Sequence, residues 1–201
     1  VKASAFYHFN WGTNKLFTTT VGLIYQGQSG SPYSLVYSGD INGDNGTSND
    51  LIFIPTDAQV DQMQFLGTDA YTAEQQRANL KQWLATTRYV KDHRGEYFER
   101  YGDNLPFESH FDFHFGQKFG IRTGKYVHAL ELTLDIMNVA NLLNKDWGRT
   151  FSSGYNSEFV SPITYKGDGV FQFANPSDMP LKYPSSYYSR WRGQVGLKYT
   201  F

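Results

Sequence analysis

The sequence predicts an all-β fold, an antiparallel transmembrane β-barrel segment of about five membrane strands with long extracellular loops, and three observations carry it. Aromatic residues reach 17% while charged residues are only 18%, against about 25% in soluble domains. Several segments alternate apolar and polar residues over roughly the 9–11 positions that a tilted strand needs to cross a bilayer. The connections between those segments are alternately short and long, as barrels place short turns in the periplasm and long loops outside.

Taken in order, the first ten residues put Ala3, Ala5, Tyr7 and Phe9 on one face. From Phe17 to Tyr25 the outward set is Phe17, Thr19, Val21, Leu23 and Tyr25, with Thr18, Thr20 and Gly22 inward. From Phe107 to Phe119, Phe111, Phe113, Phe115 and Phe119 oppose His110, Asp112, His114 and Lys118. From Lys125 to Val139, Tyr126, His128, Leu130, Leu132, Leu134 and Ile136 oppose Glu131, Thr133 and Asp135. The last strand sets Trp191, Gly193, Val195, Leu197, Tyr199 and Phe201 against Arg192, Gln194, Gly196, Lys198 and Thr200. Trp11 to Lys15 and Gly120 to Lys125 read as short turns; 26–106 and 142–187 read as long extracellular regions. Strand parity counted back from a periplasmic C-terminus agrees with every one of these turn lengths.

The first long region has its own organisation. Tyr33 to Tyr37 is an extended run, Leu51 to Pro55 a short strand, and Thr72-Ala-Glu-Gln75 a capping box before a short helix carrying Leu80, Trp83 and Leu84. Those apolar residues are expected to pack beneath the loop.

Composition also narrows function. Mean hydropathy is −0.51 and no run of about 18 apolar residues occurs, so a transmembrane helix is excluded. The net charge of −1, with Lys and Arg scattered among acids, makes nucleic acid an unsuitable partner. Without cysteine there is no disulfide framework, thiolate site or cysteine nucleophile. No nucleophile elbow, phosphate loop or zinc-type His-Glu spacing is present, so no enzyme is expected. Val1 opens the chain with no signal peptide, and truncation of a larger exported protein is the expectation.

Asp135-Ile-Met-Asn-Val-Ala-Asn-Leu-Leu-Asn-Lys-Asp-Trp147 resembles the strand-end motif of TonB-dependent receptors, with Leu143 at a position usually Phe. Asp40-Ile-Asn-Gly-Asp44, Asn49 to Pro55 and His93-Arg-Gly-Glu-Tyr97 resemble the large Bacteroidetes receptors with an upstream carboxypeptidase-regulatory-like domain. The resemblance implies the C-terminal part of a barrel of about 22 strands in the bacterial outer membrane, filled by a plug and importing a nutrient with energy from TonB. It also implies contact with outer-membrane lipid, the remaining barrel, the plug and the outer-membrane insertion machinery. The machinery would read Tyr199 and Phe201 as an assembly signal. A class-distinct alternative is a secreted, soluble β-sandwich module that binds carbohydrate or calcium.

Two groups of residues are metal candidates. Asp40, Asn42, Asp44, Asn49 and Asp50 offer the hard oxygen ligands of a calcium loop, although Gly46 falls one place late for an EF-hand and no Glu closes the loop. The bland reading is an Asx-rich turn cluster. His110 and His114 share a face but stand about 13 Å apart along a strand, too far for joint ligation without a third element. They are expected to face the lumen, and Asp112, Glu131 and Asp135 to line it and bond with the plug.

Overall fold

A computed structural model describes residues 1–152, 157–174, 183–185 and 187–201. It is mostly β, with 49% of the described residues in strands and 18% in helices. Among the described residues no helix is long and apolar enough to cross a membrane, which says nothing about crossing by strands. In chain order the strands are β1 Lys2–Trp11, β2 Phe17–Gln28, β3 Pro32–Ser38, β4 Phe53–Ile54, β5 Gln64–Phe65, β6 Glu96–Tyr97, β7 Asp103–Asn104, β8 Glu108–Thr123, β9 Tyr126–Met137, β10 Phe151–Ser152, β11 Glu158–Gly167, β12 Val170–Phe173, β13 Tyr183–Pro184 and β14 Arg192–Thr200. The helices are α1 Asp57–Gln62, α2 Ala73–Thr86, α3 Arg88–Asp92 and α4 Val139–Leu143. The chain divides into two compact units, Val1–Gly30 with Pro106–Thr150 and Pro184–Phe201, and Ser31–Leu105 with Phe151–Tyr183.

The first unit is an antiparallel meander in the order β1-β2-β8-β9-β14, matching the five alternating segments of the sequence. It is an open sheet: among the described residues β1 and β14 are edges, and no closed barrel forms. Because paired residues in an antiparallel ladder share a face, the register extends each strand's alternation across the whole sheet. Tyr7, Val21, Phe115, Leu134 and Val195 lie in one row, and Phe9, Thr19, Gln117, Leu132 and Leu197 in the next.

Two boundaries differ from expectation. The turn expected from Gly120 lies further on, because β8 continues to Thr123 and the reversal falls at Gly124, whose φ of +63° suits glycine. Gly120 is needed for a different reason: a Cβ there would stand 2.6 Å from the Leu16 carbonyl oxygen. At its other end β9 stops at Met137, since Asn138 turns left-handed at φ +53° and α4 follows.

The first long region is folded, as its strand and helix signals predict, and part of the second joins it in one compact unit. Its five-stranded sheet has the order β5-β12-β11-β3-β7, and β11, from the second region, pairs in parallel with β3, from the first, with Phe159 opposite Leu35. Residues 153–156, 175–182 and 186 of the 142–187 connection lie outside the described residues. Every residue of β3 from Tyr33 to Tyr37 is buried, the signature of a strand covered on both faces. Leu35, Ile52, Ile54, Leu80, Trp83, Leu84, Phe98, Ile163 and Phe173 belong to one core, each contributing about 1.5–3 kcal/mol of burial for an aliphatic or Phe side chain.

In place of one short helix the described residues of this unit form three α-helices, the longest being α2 with 14 residues. Its capping box is as expected, with Thr72 Oγ1 accepting from the Gln75 N–H at 3.2 Å and the Gln75 side chain accepting from the Thr72 N–H at 2.8 Å. Buried Gln76 fixes the helix to the sheet. It donates to the Leu66 carbonyl at 2.8 Å and accepts from the Phe173 N–H at 2.8 Å. Tyr33 donates to Asp103 at 2.9 Å, and burial pushes its phenol well above the usual range, so the Asp103 acceptor meets a neutral hydroxyl while Arg88 balances its charge.

Candidate functional site

The first unit has two chemically different faces. On the apolar one, Trp11, Phe17, Phe119 and Tyr199, with Leu130 between the last two, form an aromatic row near one end, and the tilted rings of Tyr25 and Phe111 lie 4.8 Å apart near the other. Phe17 and Tyr25 are eight positions apart, which is about 27 Å along a strand and about 20 Å along the axis of a barrel with its usual tilt of roughly 40°. Between the two rows lie the aliphatic Val21, Leu23, Leu132, Leu134, Ile136, Val195 and Leu197, together with the rings of Tyr7, Phe9, Phe113 and Phe115. These side chains are not a buried core: Val195 is 75% and Leu197 68% exposed.

Thr19 and Gln117 interrupt that face, and both are hydrogen-bonded within it. Trp11 Nε1 donates to Thr19 Oγ1 at 2.9 Å, Thr19 Oγ1 donates to Gln117 Oε1 at 2.6 Å, and Gln117 Nε2 donates to the Thr18 and Lys118 carbonyls. Satisfied in this way, the two polar groups can be withdrawn from water without the penalty of an unpaired donor.

The opposite face is polar and low. Gly22, Gly116 and Gly196 lie on it, and the Phe6 ring occupies the space a Cβ on Gly22 would need, 2.3 Å away. His114 and Asp135 pair at 2.6 Å, and Lys118, Glu131 and Lys198 share a row. The lumen candidates therefore sit on one face as expected, but His114 and Asp135 pair with each other, and Asp112 accepts the Asn138 N–H at 2.7 Å. His110 lies 3.1 Å from the Thr150 hydroxyl.

At the loop end of this face is a cleft of about 450 Å³. Its walls include Glu108, His110, Asp112, Asn138, Tyr188 and Arg190. Asn138, 5% exposed, joins the two feet of the second long region by donating to the Gly148 carbonyl at 2.9 Å and the Ser189 carbonyl at 3.0 Å. Its Oδ1 is buried against Gly148, where any Cβ would come within 1.9 Å, and has no hydrogen-bond partner among the described residues. The αL tolerance of Asn was the only hint of this role in the sequence; Thr150, Ser189 and Arg190 carried none.

The five calcium candidates do come together, as a turn cluster. Asp40 accepts the Gly43 and Asn45 N–H groups at 2.7 and 2.8 Å, and Asp50 accepts from Ile41 N–H and the Asn42 amide. Asp44 accepts from the Gly46 N–H at 2.7 Å and from the Asn42 and Asn49 amides, and these bonds, Gly46 foremost, hold its carboxyl below the usual range. Among the described residues no group of three His, Cys, Asp or Glu side chains has metal-holding geometry. Calcium would require the Asn42 and Asn49 amides to turn their oxygens inward. Asp44→Ala deletes the acceptor of three donors, and faster nicking of the Asp40–Asp50 loop in limited proteolysis is the expected result. If the loop takes calcium, millimolar calcium protects the unsubstituted chain and not the variant.

Tyr199 and Phe201 stack at 5.9 Å on the apolar side of the last strand, and Tyr199 OH lies 2.7 Å from His128 Nδ1. Compared with known proteins, the chain matches no family model, no curated protein and no solved structure.

Proposed function

We propose that this chain is a C-terminal wall segment of an outer-membrane β-barrel of the TonB-dependent receptor type, through which a nutrient is imported. The observation that carries the reading is the exposed apolar band of the first unit, bounded by aromatic rows and backed by a face of glycines and polar groups. A lipid-facing wall needs that division, with an apolar band about 25 Å tall between aromatic girdles and a polar interior. In water, exposed apolar patches on monomers rarely exceed a few hundred Å². The edges β1 and β14 supply the other support, since a barrel wall must continue through both into further strands.

On this reading lipid covers the apolar face and the rest of the barrel pairs with the edges. The plug lies against the polar face and connects to TonB. Tyr199 and Phe201 serve as the address read by the insertion machinery. A secreted β-sandwich would instead need a second sheet over Val195 and Leu197, both largely exposed. Purification with and without detergent tests the proposal: the full chain should be monodisperse only in micelles, and a soluble monomer in plain buffer would overturn it.

A further inference from the structure

The cleft of the first unit has unequal hydrogen-bonding capacity on its two sides. On the β8 side each acceptor is engaged at least once: Glu108 accepts from the Gln28 amide at 3.1 Å, His110 lies 3.1 Å from Thr150, and Asp112 accepts the Asn138 N–H at 2.7 Å through one oxygen, which leaves it further lone pairs. Facing them, the donors are largely unspent. Among the described residues neither the Arg190 guanidinium nor the Tyr188 hydroxyl has a hydrogen-bond partner, and Arg192 gives only Nη1, to Tyr187 OH at 3.2 Å. What the cleft lacks is therefore an acceptor, and a guanidinium fork matches a planar oxyanion best.

The charge of the walls limits which oxyanion. Glu108 and Asp112 offset Arg190 and Arg192, so the walls sum to no net charge and give a dianion little net attraction to set against a desolvation cost that rises with the square of its charge. A volume of about 450 Å³ is within the usual range for small-molecule sites, at the size of one sugar or amino acid. We infer that the cleft between the start of β8 and the start of β14 binds a small monocarboxylate carrying hydroxyl groups. Its carboxylate lies on Arg190, and its hydroxyls reach the free lone pairs of Asp112. This does not depend on what covers the apolar face.

Glucuronate, its neutral methyl ester and glucose 6-phosphate are suitable probes, titrated onto the full chain at low ionic strength by ligand-observed NMR. Glucuronate should bind in the millimolar range, with the ester about tenfold weaker, as the loss of one charge-assisted pair predicts, and the phosphate weaker than the acid because a dianion is dearer to desolvate. Arg190→Gln should weaken glucuronate about tenfold, and Arg190→Lys by less, because charge remains while the fork is lost. An ester that binds as well as the acid, an unchanged affinity in Arg190→Gln, or no binding of glucuronate would each overturn the assignment. Unchanged strand content in the variants separates these outcomes from misfolding. Because detergent dependence reads the apolar face and this titration reads the cleft, either can fail without the other.

Discussion

Leu134→Arg should destabilise the first unit by about 2–4 kcal/mol when the chain is folded into lipid, the cost of a cationic side chain at the midplane of a barrel's outer face. On the proposed lipid-facing reading Leu134 is nearest that midplane, since its row, with Phe115 and Val195, lies halfway between the two aromatic rows. Leu132→Arg, about 7 Å nearer one girdle, should cost less. Thr133→Arg should cost least, because Thr133 is on the other face between Gly116 and Gly196, where a long side chain has room. Urea titration of the three variants in vesicles gives the comparison, and equal tolerance at 133 and 134 would reject a lipid-facing assignment.

Phe98→Ala is expected to cost the second unit about 3–5 kcal/mol, as for other large-to-small changes in a sealed core. Phe98 is 1% exposed, with its ring 4.4 Å from that of Tyr89 and 6.1 Å from that of Tyr33. The site cannot easily collapse, since Tyr33 is tied to Asp103 by its hydroxyl and Tyr89 stacks on His93 at 3.9 Å. Trp83, the tryptophan of this unit's α2, reports the transition by fluorescence in a denaturant series. A loss below about 1 kcal/mol would mean that the packing around Phe98 is far looser than its burial indicates.

The two units differ in how much of them can be read from sequence. All five long strands of the first unit were legible, because a strict two-residue period over ten or so positions arises from little except a strand with two unlike faces. Gly120 misled because a glycine that admits a neighbouring backbone looks the same in sequence as one that reverses the chain. The capping box at Thr72 was legible, being a local signal. The pairing of β3 with β11 was not, for Leu35 and Phe159 are separated by more than half the chain and nothing local encodes a parallel partner at that distance. Among the site residues, the Asp40–Asp50 cluster was visible as a run of turn formers. The cleft was hidden because Arg190 and Asp112 meet only once β8, β9 and β14 are in register.

The sharing of one sheet by two separate stretches also sets an order in time. As the chain is made from its N-terminus, residues 31–105 emerge with Leu35, Ile52 and Leu80, but Phe159, Ile163 and Phe173, which complete their core, come much later. Closing that long interval costs entropy before any contact compensates for it, so this unit should mature slowly and late, after its first stretch has passed through a half-finished, adhesive state. A holding chaperone would find its substrate in that interval, and a chain stalled near residue 150 would be the species most prone to aggregate.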